Sequence, residues 1–173
     1  MPEETKDWTH LDRHGRIKMV DVSDKPPTWR EARARARVRM KPETLQRILE
    51  GTVAKGNVFD TARLAGIMAA KKTWELIPLC HPLPLTAVDV FLEPDPDLPG
   101  VRLEAHTKTC ERTGVEMEAL VAVTHAALTL YDMCKALDRT MVLEDIRLTY
   151  KSGGRSGTFR LQEPQEDSSN FTP

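Results

Sequence analysis

The run from Thr113 to Leu137, TGVEMEALVAVTHAALTLYDMCKAL, constrains the fold more than any other stretch. Met117, Leu120, Val121, Ala127, Leu128 and Tyr131 recur at three- and four-residue spacing, the pattern of a helix with one covered face. Thr113 followed three residues later by Glu116 has the capping-box form, which predicts that the helix starts there. Near the far end Asp132 and Lys135 stand three apart and share a face. Glu116 and Glu118 precede that pair by about sixteen positions, roughly 24 Å along a helix axis. One small substrate does not span that length on a single copy. If both ends carry chemistry, the expectation is that they meet across a subunit interface.

The rest of the chain supplies strands for this helix to cover. RARARVRM (33–40) alternates strictly, with Arg33, Arg35, Arg37 and Arg39 on one side and Ala34, Ala36, Val38 and Met40 on the other. The arginine side suits an anion, or is simply a solvated face with paired charges, which is the commoner case. Pro42 to Glu50 reads as a short helix opened by Pro42 and stopped by Gly51. A second helix is predicted from about Asn57 to Ile77, with Val58, Ala62, Ala65 and Met68/Ala69 as its stripe. Pro78, Pro82 and Pro84 then stiffen the loop LIPLCHPLPLT. Strands follow at Val88–Leu92 and Val101–Lys108, and a last one after the long helix, where Ile146, Leu148 and Tyr150 alternate with Arg147, Thr149 and Lys151. Strand, helix, strand, strand, helix, strand is the βαββαβ, ferredoxin-like order of an α+β fold, an antiparallel sheet with two long helices packed on one face. Residues 1–29 read as a flexible N-terminal arm, in which Met19–Val22 could add an edge strand on docking. Residues 30–161 read as one catalytic domain, and 162–173 as a disordered tail.

Bulk properties remove several function classes. At 173 residues with a net charge of −1, the chain carries no field that announces nucleic acid or membrane. Three cysteines without a C-x-x-C spacing argue against a disulfide framework and against zinc. No run approaches a membrane span and the first residues lack an apolar leader core, so a soluble cytoplasmic protein is expected. The same element order builds RNA-recognition domains, but those stack bases on sheet aromatics, and this chain is only 5% aromatic. A regulatory oligomer that binds a small anion is a further rival. It would keep ligand affinity in an Asp132→Asn variant and have no turnover to lose.

Candidate chemistry sits in loops and at helix ends. His81 lies in the proline-braced Leu79-Cys80-His81-Pro82, a stiffened loop that can position an imidazole, the side-chain type suited to moving protons. Asp132 and Lys135 could form an acid/base pair, although an ordinary surface pair is the commoner use of that spacing. Glu116 and Glu118 are what the helix dipole favours in a first turn, and from the residues alone both read as structural. KSGGRSG (151–157) presents backbone N–H groups and cations after a strand, as a phosphate loop does or as a plain flexible turn. Arg30, Lys55, Lys135 and Lys151, with one histidine and a few carboxylates, fit a small phosphate-bearing substrate and proton transfer without a redox cofactor.

MVDVSDKPPTWREARA (19–34), KGNVFDTARLAGIMAAKKTWELIPLCHPLPLT (55–86), ERTGVEMEAL (111–120), ALTLYDMCKAL (127–137) and KSGGRSG (151–157) closely resemble the MoaC family of molybdenum cofactor biosynthesis, the cyclic pyranopterin monophosphate synthases. The resemblance covers roughly residues 17–160 in order. It implies a lyase that converts 3′,8-cyclo-7,8-dihydroguanosine 5′-triphosphate to cyclic pyranopterin monophosphate and releases pyrophosphate. It implies a homohexamer, a trimer of dimers, with active sites at subunit interfaces. Carried over onto the matching motifs, it implies Asp132 and Lys135 as the catalytic pair. Leu79, Cys80, His81, Met117, Glu118, Glu116, Lys55, Arg30 and Lys151 become substrate contacts, the cations holding the triphosphate. No resident metal or cofactor is implied, though Mg²⁺ could accompany the triphosphate. The resemblance thus replaces the structural reading of Asp132, Lys135 and Glu118.

Overall fold

The structure, a computed structural model, describes residues 10–12, 14–95 and 97–162. The first nine residues of the arm and the tail from residue 163 lie outside them. Strand β1 (Thr28–Arg39) is followed by helices α1 (Pro42–Leu49), α2 (Val58–Ala70) and the single turn α3 (Thr73–Leu76). Then come β2 (Ala87–Asp95), β3 (Gly100–Glu111), α4 (Glu116–Cys134), β4 (Val142–Ser152) and the short β5 (Phe159–Arg160). The antiparallel sheet has the order β2-β3-β1-β4-β5. Without β5 this is the ferredoxin-like arrangement, with β1 and β3 central.

Period-two patterning decides which face is covered. Ala32, Ala34, Ala36 and Val38 of β1 and Val101, Leu103, Ala105 and Thr107 of β3 are all buried. Helix α4 lies on them through Ala119, Ala122, Val123, Ala126, Ala127 and Leu130, also buried. Small residues on both sides let the helix sit close, where dispersion contacts are densest. Gly66 does the same between helices: a Cβ there would stand 2.8 Å from the Ala122 carbonyl oxygen of α4. The opposite sheet face is where the arginines project, and three of them are paired: Arg33 with Glu31 at 3.1 Å, Arg35 with Asp145 at 2.9 Å, Arg39 with Glu144 at 3.3 Å. The stripe is a solvated, charge-matched face.

Four sequence expectations change. The capping box does not form: α4 begins at Glu116, and its N-cap, Val115, makes no side-chain cap bond. Val115 is buried and its carbonyl accepts from the Thr107 hydroxyl at 3.0 Å, so the core fixes the helix start two residues past Thr113. The predicted 57–77 helix breaks at Lys71-Lys72 into α2 and α3, and Met68 and Ala65 stay outside the core while Gly66 enters it. Strand β4 does not alternate evenly. Register shifts place Leu148 opposite Ala34 but Tyr150 opposite Arg33, with Asp145 at φ 55°, so Tyr150 leaves the face of Leu148 and lies under the Arg33 guanidinium. Residues 19–22 form no strand, and β1 starts at Thr28, inside the stretch read as an arm.

One buried acid closes the far end of α4. Asp138, 1% exposed, accepts from the Lys41 N–H at 2.9 Å and from the N–H and hydroxyl of Thr140 at 2.9 and 2.6 Å. Burial alone would raise its carboxyl, but those donors outweigh burial and hold it below the usual carboxylate range. Its contribution is therefore present above the unfolded carboxyl's pKa and is lost as pH falls through the folded one. Asp138→Ala is expected to cost about 3 kcal/mol of unfolding free energy, read as a lower urea midpoint at neutral pH. A loss below about 1 kcal/mol would mean that water replaces the clamp.

Candidate active site

The structure gathers the candidate residues into two clusters, one at each end of α4. At the start of the helix, Glu118 is 4% exposed, while Glu116 and Met117 are half-buried. The proline-braced loop comes to this end. Its Pro84 carbonyl accepts from the buried Thr109 hydroxyl at 2.7 Å, and the Thr86 N–H donates to the Lys108 carbonyl at 2.8 Å. Leu79, Cys80 and His81 are half-buried there. Burial pushes the Cys80 thiol up, and the Glu118 charge adds to the rise, so the two side chains lie within electrostatic reach.

Arg30 and Lys151 belong to the same end. Arg30 is two residues before Ala32 in β1, and Lys151 of β4 is opposite Ala32, so both project toward the helix side. The Arg30 guanidinium donates to the carbonyls of Glu111 and Arg112 at 2.8 and 3.2 Å, just upstream of α4. Gly154, at φ 72°, leaves room for it: a Cβ there would collide with the guanidinium. Lys151 donates to the Ser156 hydroxyl, which curls the glycine loop back over its own strand.

Glu118 has the electrostatics of a proton carrier. Burial is the main cause that lifts its carboxyl to about 7, with Glu116 adding to it and a hydrogen bond from its own backbone N–H opposing it. Near neutral pH such a group exchanges a proton readily.

The second cluster lies at the last turn of α4. Lys55, in the loop between α1 and α2, donates to Asp132 Oδ2 at 2.7 Å and to the Asp132 carbonyl at 2.8 Å. Lys135 meets the other carboxylate oxygen, Oδ1, at 2.6 Å. These two lysines, Lys135 first, hold the Asp132 carboxyl down to about 2. Asp132 therefore stays ionised and aligns two ammonium groups side by side; the protons available here are on the lysines. Neighbouring Cys134 is buried, which raises its thiol to about 11 and leaves it unreactive. Asp132 lies fourteen residues beyond Glu118 on one unbroken helix, about 21 Å away. Within one chain the clusters do not meet.

Residues 19–154 match the MoaC family. The chain belongs to the MoaC family. Its similarity to individual members is high and spans nearly the whole length. It is 62% identical over 151 residues to the cyclic pyranopterin monophosphate synthase of Pelotomaculum thermopropionicum, covering 87% of this chain and 89% of that one. It is 62% identical over 154 residues to that of Dinoroseobacter shibae, 89% and 98% of the two chains, and 59% identical over 158 residues to that of Nostoc sp., 91% and 94%. In this MoaC-family chain the structure adds contacts that residue spacing did not show. Lys55 meets Asp132 across 77 positions of sequence. The Val20 carbonyl meets His81, and Arg112 meets the Ser23 carbonyl. The quoted motifs contain all of these residues, but only the fold shows which touch. Among the described residues no helix is long and apolar enough to cross a membrane.

Proposed function

We propose that this chain is a cyclic pyranopterin monophosphate synthase, a lyase that converts 3′,8-cyclo-7,8-dihydroguanosine 5′-triphosphate to cyclic pyranopterin monophosphate and pyrophosphate in molybdenum cofactor biosynthesis. The observation that carries this reading is the match to proteins of that name at about 60% identity along nearly the full length of both chains. Closing the cyclic phosphate forms a bond from a hydroxyl oxygen of the substrate to its α-phosphorus and breaks the bond to the β-phosphate. The hydroxyl proton must go to a base, and the departing pyrophosphate needs positive charge beside it.

The two clusters divide those tasks. Arg30 and Lys151 supply positive charge, and Glu118, with a carboxyl at about 7, takes and returns protons. Lys55 and Lys135, aligned by Asp132, supply ammonium protons and further positive charge. Leu79, Cys80, His81, Glu116 and Met117 complete the wall around the substrate. Because about 21 Å of helix separates Glu118 from Asp132, one working site takes its halves from two copies, in a hexamer built as a trimer of dimers. The reading requires no resident metal; Mg²⁺ bound to the triphosphate would arrive with it.

The test is direct. Purified chain incubated with the cyclised guanosine triphosphate should release pyrophosphate and form the cyclic pyranopterin product in equal amounts, read by chromatography with mass detection. Binding of the compound without either product would sink the assignment.

A further inference from the structure

His81 has one nitrogen spoken for. Its Nε2 lies 2.8 Å from the Val20 carbonyl oxygen, which can only accept, so Nε2 must carry a proton. Nδ1 has no partner among the described residues. The contact crosses 61 residues and joins the segment before β1 to the loop before β2.

Both partners are held. On the loop side, the Cys80 N–H donates to the Ile77 carbonyl at 3.0 Å, Pro82 and Pro84 limit the backbone, and Thr109 grips the Pro84 carbonyl. On the other side, the Lys18 N–H donates to the His10 carbonyl at 2.9 Å, and Leu11 bridges to Ile17. The Asp21 carboxylate accepts from the Ser23 N–H at 2.9 Å, and the Ser23 carbonyl accepts from Arg112. The segment is thus tied to itself and to the approach of α4.

We propose that Val20 is a positioning residue: its carbonyl fixes His81 as the Nε2–H tautomer and leaves the Nδ1 lone pair as the imidazole's only base. The proposal rests on the synthase reading for its catalytic consequence, though not for the tautomer itself. A proton leaving a substrate oxygen or nitrogen goes to Nδ1, and its electron pair stays on that atom. The ring becomes an imidazolium whose Nε2–H remains on Val20. Asp21 suits that charged state, for its carboxyl is held below the usual range, chiefly by hydrogen bonding to Ser23 and in smaller part by attraction to His81. A half-turn of the ring about Cβ–Cγ would put a ring carbon where each nitrogen stands, and the bond from Nε2–H to the Val20 carbonyl opposes that flip.

The experiment uses the full-length chain labelled with ¹⁵N-histidine. Long-range ¹H–¹⁵N correlation spectra report which ring nitrogen is protonated, and His81 is assigned among the five histidines as the signal lost in His81→Gln. The expected result is a single Nε2–H tautomer at neutral to basic pH. An ester in place of the amide between Val20 and Asp21 weakens the Val20 acceptor without altering a side chain. It should admit the second tautomer and lower kcat about three- to ten-fold, with KM changed less than about two-fold. An Nδ1–H tautomer in the natural chain overturns the proposal. So does an ester variant whose spectrum and kcat both match the natural chain. The expected tautomer in a chain that turns over no substrate supports the assignment of the ring and contradicts the synthase reading instead.

Discussion

Asp132→Asn should lower kcat/KM by about 10³-fold while leaving the melting transition nearly unmoved. The amide keeps the shape of the side chain but removes the charge that both Lys55 and Lys135 contact at 2.6–2.7 Å. Without it two ammonium groups are left facing each other, and repulsion spreads them from the positions in which they would meet the departing phosphates. The group is exposed, so little folding stability depends on it. Its carboxyl is at about 2, so Asp132 is ionised throughout the working range and the pH profile should gain no new limb when it is replaced. Lys135→Met tests the same arrangement from the other side and should lose activity on a comparable scale. Turnover in Asp132→Asn within about three-fold of the natural chain would remove Asp132 from the chemistry.

Glu118→Gln should separate stability from activity. In the fold the carboxyl rises from 4.5 to about 7, mainly through burial, so the folded protein binds the extra proton between those values and the unfolded chain does not. The sign follows: stability of the natural chain is greatest below about pH 4.5, as far as this group is concerned, and falls as pH rises toward 7. The fall is on the order of 3 kcal/mol, after which the dependence flattens. Glutamine cannot ionise and lacks this slope. Relative to the natural chain, Glu118→Gln should therefore gain stability between pH 5 and pH 8, by on the order of 2 kcal/mol once its amide's own burial is counted. The same variant should lose about 10²- to 10³-fold in kcat, because its amide carries no exchangeable acid proton. Urea melts across that pH range and steady-state rates read the two effects separately. A stability difference independent of pH would show that Glu118 is ionised in the fold at every pH tested.

The fold was legible where one residue's environment follows from its immediate neighbours. Alternation along Arg33–Met40 placed the alanines inward, and the run after Val115 named the covering helix. What spacing did not show depends on partners far away in sequence. Glu118 reads as a helix-dipole carboxylate until the core fixes α4 at Val115 and buries the Glu118 side chain; only then does burial shift its chemistry. Asp132 and Lys135 read as a surface pair until Lys55 arrives from 77 residues upstream and makes a triad. The register shifts at Asp145–Ile146 and at Thr149 were hidden because Ile146, Leu148 and Tyr150 alternate flawlessly in sequence; the extra residues show only against the register of β1. The family motifs overcame part of this, by naming residues whose contacts no local pattern reveals.

The division of labour between the two ends of α4 is tested most directly by mixing subunits. Glu118→Ala and Asp132→Ala chains are each prepared inactive, then combined at equal amounts under conditions shown by differential labelling to exchange subunits. Across a two-fold interface a hybrid pair contains one doubly damaged site and one intact site, so random pairing should restore about a quarter of the natural rate. Activity that stays at the level of the parents despite full exchange would place Glu118 and Asp132 of the same chain in each site, which a helix of this length forbids, and the two-copy account would fail.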